Sequence, residues 1–224
     1  MAQIMNGYII SIFISLLFSL LYFLVKNRNK EYKTTHLLIV FFIVLGSTIE
    51  VIGEITSSYG INNSLYYNLL FVYGQTLLFI YFFYLISETT QWKKRIIKLS
   101  TFFVCFGVVY SFYFRSIHLV FHNYSFAIGS LILITLAINF FLDIFNLNKY
   151  EDTNLLAVPY FWIVTVILFF YSAAFFYFTP IRFLYDIDIA LAEPVFLILR
   201  LLAGLMYVVL GLAFYAPCVF KGKY

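Results

Sequence analysis

Seven apolar runs, separated by polar or charged stretches, divide the chain into residues 7–25, 34–53, 65–86, 99–114, 124–143, 157–179 and 194–216. Roughly 20 apolar residues, rising about 1.5 Å each in a helix, cross the hydrocarbon of a bilayer. The pattern predicts an all-α, polytopic seven-transmembrane-helix bundle that forms a single domain over residues 1–224, its fourth span the shortest. Four prolines punctuate it: Pro159 and Pro194 near span starts, where a missing N–H costs little, and Pro180 and Pro217 after span ends. Residues 1–8 lack the basic start of a cleavable signal peptide, so the first run is expected to stay as a span.

Composition agrees. The chain is 64% hydrophobic, 23% aromatic and 11% charged, with a mean hydropathy of +0.97. A soluble domain so composed would carry an apolar surface, whereas lipid tolerates one. The spans leave no room for a separate soluble domain. The net charge of +4 is a matter of topology. Eleven of the 14 basic residues fall on one side, in KNRNKEYK after span 1, QWKKRIIK after span 3, Lys149 after span 5, and Lys221 and Lys223 in the tail. Arg115 and Arg182 lie on the other side, and Arg200 lies within span 7. The positive-inside rule then puts the N-terminus outside and the C-terminus in the cytoplasm. The basic loops suit anionic lipid headgroups, and no nucleic-acid partner is expected.

Polar residues inside the spans are the candidate chemistry. Glu50 and Glu54 are one turn apart in GSTIEVIGEI. Measured from Thr34 they lie about 24 Å and about 30 Å along span 2, which puts Glu54 at the outer surface and Glu50 below it. Arg200 lies about 9 Å into span 7 from Pro194, at a similar depth. A lone charge there is expensive, so Glu50 and Arg200 are expected to pair. In span 3, Asn68 and Gln75 are seven apart and are placed on one helical face, with Gly74 permitting close approach. Glu50, Arg200, Asn68 and Gln75 are therefore expected to form an outward-facing polar pocket walled by aromatics of spans 3 and 6. The same four also fit a structural ion pair with polar packing, and the sequence leaves both open. Gly204 and Gly211 make a smooth strip for helix packing.

The usual marks of other chemistry are missing from the sequence. Span 7 has no lysine for a retinal Schiff base. There is no GxSxG, HExxH, GxxxxGK or GxGxxG motif. Cys105 and Cys218 have no metal or disulfide spacing. His118 and His122 share a helical spacing without a third ligand, and Asn139 and Asp143 fall at the inner end of span 5. No catalytic residue, metal or cofactor is expected.

Three stretches carry a resemblance: STIEVIGEITSSYGINNSLYYNLLFVYGQTLLFIYFF, PYFWIVTVILFFYSAAFFYF and LILRLLAGLMYVVLGLAFYA. With Glu50, the GINNSLYYNL lead-in to span 3 and the FW…FFYS of span 6, the chain resembles small seven-helix membrane proteins of Bacteroidetes-type bacteria, and the N-terminal seven-helix sensor regions of some histidine kinases there. The resemblance implies a place in a bacterial cytoplasmic (inner) membrane, and sensing or the company of signalling proteins. The sequence ends at KGKY without a kinase domain, which implies a separate partner protein. The expected function is a receptor-like sensor module that binds a small or lipidic ligand and couples to that partner. A small-solute transporter or channel, a lipid-modifying enzyme and a ligand-free assembly subunit are the alternatives. Polar residues thin out below Gln75 apart from Asn139, which speaks against transport.

Overall fold

The computed structural model describes residues 2–25, 30–114, 116–146, 150, 154–179 and 189–220. Among these there is no strand. Seven helices are long and apolar enough to cross a membrane. They are α1 (Ala2–Leu21), α2 (Lys33–Ser58), α3 (Ser64–Ile86), α4 (Thr90–Tyr113), α5 (Asn123–Asn146), α6 (Pro159–Phe178) and α7 (Ile189–Leu212). A 3₁₀ turn and the short helix Ala216–Phe220 extend α7.

Six of them close a ring in the order α1, α2, α3, α5, α6, α7, and α4 packs outside it against α3 and α5. Only Ile96, Phe103 and Gly107 of α4 are buried. The centre of the ring is apolar, with Phe42, Ile43, Phe79, Phe82, Ile163 and Ile167 inaccessible or nearly so. Large apolar side chains also face outward, among them Phe41, Phe102, Phe112, Phe169, Phe176 and Leu205. An apolar outside is stable in hydrocarbon and not in water. The chain is a multi-pass membrane protein whose solvent over most of its surface is lipid.

Two boundaries differ from the sequence-based expectation. The fourth span is not short: α4 begins at Thr90, and the basic stretch QWKKRIIK forms its first turns. Hydropathy registers only the apolar part of a helix, whereas Thr89 marks its start by accepting the Trp92 N–H at 3.4 Å. Pro194 is near the start of the seventh span as expected, five residues inside the helix that begins at Ile189. Neighbouring helices make an internal proline tolerable in a membrane span. Pro217 lies within the terminal short helix, while Pro159 is at the first position of α6 as expected. Pro180, Arg115, Arg182 and Lys149 lie outside the described residues, as do Lys26, Arg28, Lys221 and Lys223.

The helix α3 is not uniform. Residues Tyr67–Gln75 form a π-helical segment between α-helical ends. The i→i+5 pattern widens the turn, and such segments are uncommon. Gly74 fits the wide turn: a Cβ there would stand 3.1 Å from the Leu69 carbonyl oxygen and 3.4 Å from a Leu45 methyl.

The contact of α1 with α7 is as close as the small residues allow. A Cβ on Gly204 would meet Ser11 Oγ at 3.0 Å, and one on Gly211 would meet Ser15 O at 2.6 Å. Ser15 also donates its hydroxyl to the Tyr207 carbonyl oxygen. The glycine strip read from the sequence is thus the α1 docking face of α7.

Candidate functional site

On α2, Gly46, Glu50 and Gly53 follow one another at spacings of four and three residues, so they share one stripe. A tyrosine from another helix is seated on each glycine. The Tyr207 hydroxyl of α7 presses against Gly46, and the Tyr67 hydroxyl of α3 presses against Gly53. Neither position has room for a Cβ. Glu50 stands between the two phenols, and its Oε1 accepts a hydrogen bond from the Tyr8 hydroxyl of α1 at 3.0 Å. The Tyr8 and Tyr207 rings meet edge to face, with centroids 6.3 Å apart. Three helices thus deliver three phenols to one carboxylate.

These groups surround a cavity of about 360 Å³. Tyr8, Glu50, Tyr67, Arg200 and Tyr207 supply its polar wall. Phe71, Phe121, Phe170, Phe178 and Phe196 supply an aromatic one. The lining comes from Tyr8 of α1, Glu50 of α2, Asn63 and the first part of α3, Phe121 of the α4–α5 connection, the later half of α6 and the stretch of α7 from Phe196 to Tyr207. The cavity begins near the end of the bundle at which the chain starts and reaches inward to Tyr207, 18 residues into α7. The aromatic wall includes residues of α3 and α6, as the sequence pattern suggested.

Glu50 and Arg200 share this cavity, yet among the described residues no ion pair joins them. The Arg200 guanidinium lies over the Phe196 ring, 4.3 Å from its centroid, while Glu50 is held by Tyr8. The expected direct pair is therefore corrected to two charges separately held in one space. Each has a closer partner on its own side: an aromatic face within α7 for the cation and a phenol of α1 for the anion.

Asn68 and Gln75 do not line the cavity. Asn68 is fully buried. Its Nδ2 donates to the carbonyl oxygens of Ile117 at 2.9 Å and Val120 at 2.8 Å. Its Oδ1 accepts the His122 N–H at 2.9 Å. It ties the α4–α5 connection to α3 and so sets the position of Phe121. Gln75 turns instead to α7, where its Nε2 donates to the Tyr207 hydroxyl at 3.1 Å. Its Oε1 is buried without a hydrogen-bond partner among the described residues. The single face expected for these two amides does not exist, because seven residues of a π-helical segment do not complete the rotation that seven α-helical residues do. Both act through other residues: Asn68 through Phe121, Gln75 through Tyr207.

The three phenols were not among the expected site residues. The usable signal was the pair of glycines at −4 and +3 from Glu50, which marks bulky partners arriving at both ends of its stripe. Elsewhere, Tyr73 Oη lies 2.8 Å from His122 Nδ1 and donates to Ser125 Oγ at 3.0 Å, all packed between α3 and α5. His118 is exposed and separate. Among the described residues no group of three or more His, Cys, Asp or Glu could hold a metal. At the opposite end, Asn139 and Asp143 border a cleft of about 20 Å³, room for about one water.

The site makes a direct contrast between the two glutamates. Glu54 is exposed and lies outside the cavity, whereas Glu50 is part of its wall. Glu50→Gln is expected to lower thermal stability in detergent by several degrees, since the amide forfeits the charge-assisted bond from Tyr8. Glu54→Gln is expected to leave the melting curve unchanged. Equal shifts would remove Glu50 from any special role.

Comparisons with protein-family models, with curated proteins and with solved structures find no match to this chain.

Proposed function

We propose that this chain is a receptor-like sensor module of a bacterial cytoplasmic membrane, which binds a small or lipidic ligand in the cavity around Glu50 and signals through a separate protein. In this reading the cavity end faces outward, because the basic residues concentrate at the other end of the chain's spans. The resemblance to seven-helix sensor regions of histidine kinases points the same way.

The observation that carries the reading is a cavity holding opposite charges that do not neutralise each other directly, above a sealed core. Its volume of about 360 Å³ is within the usual range for small-molecule sites, roughly 300–1,000 Å³. Below it, Phe42 stacks near Phe79 with centroids 4.1 Å apart, and Phe79 meets Tyr171 edge to face at 5.8 Å. All three rings are at most 1% exposed. A solute that entered the cavity would meet a close-packed apolar plug. Such a dead end favours binding with signalling over conduction.

The test is mass spectrometry of gently purified protein, comparing the wild type with Glu50→Gln, combined with a flux assay on proteoliposomes. A small molecule or lipid retained by the wild type and lost in the variant, without flux, is the expected result. Flux of that molecule through the wild type would replace sensing by transport. Retention of no molecule by either protein would demote the cavity to a packing defect.

A further inference from the structure

We infer that the ligand of this cavity is an amphipathic zwitterion, whose ammonium group meets Glu50, whose anionic group meets Arg200 and whose apolar part lies on the phenylalanine wall; the inference rests on the ligand-binding reading above.

The unused bonding capacity of the site points to this class. Glu50 Oε1 is engaged by Tyr8, and among the described residues its second oxygen accepts nothing. The Arg200 guanidinium has its aromatic contact with Phe196 but makes no hydrogen bond among the described residues. The Tyr67 hydroxyl, seated at Gly53 beside Glu50, likewise makes none. The cavity thus offers a carboxylate oxygen, a fork of N–H donors and a phenol. Charges at membrane depth are costly unless paired. A cation alone would leave Arg200 unpaired, and an anion alone would leave Glu50 so. A molecule carrying both charges satisfies both and adds no net charge to the site. The phenol rings of Tyr8, Tyr67 and Tyr207 surround Glu50 and suit an ammonium, which aromatic faces attract. Guanidinium suits a carboxylate or a phosphate, which it can bind through two parallel bonds. The five phenylalanines lining the rest select an apolar or aromatic body.

Two sources supply this chemistry: a free apolar amino acid, or the headgroup of an aminophospholipid. Both are tested on the full chain purified in detergent and stripped of lipid. L-phenylalanine, phenethylamine and 3-phenylpropanoate are titrated calorimetrically. In parallel, the protein is placed in nanodiscs of phosphatidylglycerol with and without phosphatidylethanolamine, and the lipid retained on re-extraction is measured. Tighter binding of L-phenylalanine than of either singly charged analogue, by at least about tenfold, supports the inference and a free ligand. Glu50→Gln is then expected to erase the preference over 3-phenylpropanoate, and Arg200→Gln the preference over phenethylamine. Selective retention of phosphatidylethanolamine, lost in both variants, supports the inference with a lipid source. Glu50→Asp and Arg200→Lys keep the charges and are expected to keep the order of preference, which separates loss of recognition from misfolding. Equal or tighter binding of a singly charged analogue, or recovery of a bound molecule with one charge only, overturns the zwitterion and leaves ligand binding standing. No binding of any probe and no molecule recovered from the wild type overturns both.

Discussion

Replacing Asn68 by alanine is expected to cost about 2–4 kcal/mol of stability, the largest effect of any single polar-to-alanine change in the bundle. The residue is 0% exposed. It makes three hydrogen bonds, to Ile117 O, Val120 O and His122 N. Each is worth a net 0.5–1.5 kcal/mol or so, and truncation leaves two carbonyls and an N–H without their partner at the end of a membrane helix. Asn68→Asp keeps the acceptor for His122 N–H but sets a carboxylate against two carbonyl oxygens, so it is expected to be no better than alanine. Asn62 is the control. It bonds Leu119 O at 3.1 Å and the Ser64 N–H at 2.8 Å, but both bonds are exposed. Water replaces such bonds, and Asn62→Ala is expected to cost about 1 kcal/mol or less. The effect should also reach the cavity, because Phe121 lies between Val120 and His122 and lines it. Thermal unfolding in detergent measures the first expectation and ligand retention the second. Similar costs for Asn62→Ala and Asn68→Ala would show that the α4–α5 connection is held by something else.

Much of this fold is legible because the bilayer supplies an external ruler. Twenty apolar residues mean a span whatever their neighbours do, so all seven spans emerge from hydropathy. What hydropathy misreads are the places where helix and hydrocarbon do not end together: Thr90 begins α4 well before its apolar part, and Ile189 begins α7 before Pro194. The charges of the site were legible for the same reason that the spans were, since Glu50 and Arg200 are exceptions within apolar runs. Their partners were not. Depth along a helix does not say which way a side chain turns, so two charges at one level can each prefer another neighbour, as Tyr8 and Phe196 show. The separation of Asn68 from Gln75 was hidden by the π-helical segment, for which Gly74 alone is a weak signal. The phenols were hidden by abundance. Among 20 tyrosines nothing distinguishes Tyr8, Tyr67 and Tyr207 until the glycines of α2 are seen as their seats.

Gly46 is where that packing is most exposed to test. A Cβ there would overlap the Tyr207 hydroxyl and stand 2.8 Å from Cζ and 2.9 Å from Cε1. Tyr207 cannot give way easily: its hydroxyl accepts from Gln75 at 3.1 Å and its ring packs against Phe42 at 5.9 Å. Gly46→Ala is therefore expected to destabilise by about 1–3 kcal/mol, the usual range for overpacking, even though alanine is the better helix former. It is also expected to abolish ligand retention, because any escape of Tyr207 moves the cavity wall beside Glu50. Gly7→Ala, with nothing within 4 Å of its Cβ, is expected to be neutral or slightly stabilising. The decisive measurement is a double-mutant cycle. Tyr207→Phe removes the hydroxyl but leaves the ring atoms in the way, so Gly46→Ala should still cost stability in that background. Tyr207→Leu removes the ring, and the cost of Gly46→Ala should then fall by about 1 kcal/mol or more. A cost that does not depend on residue 207 would place the strain in the α2 backbone, and Tyr207 would then be a neighbour of Gly46 without being the reason for it.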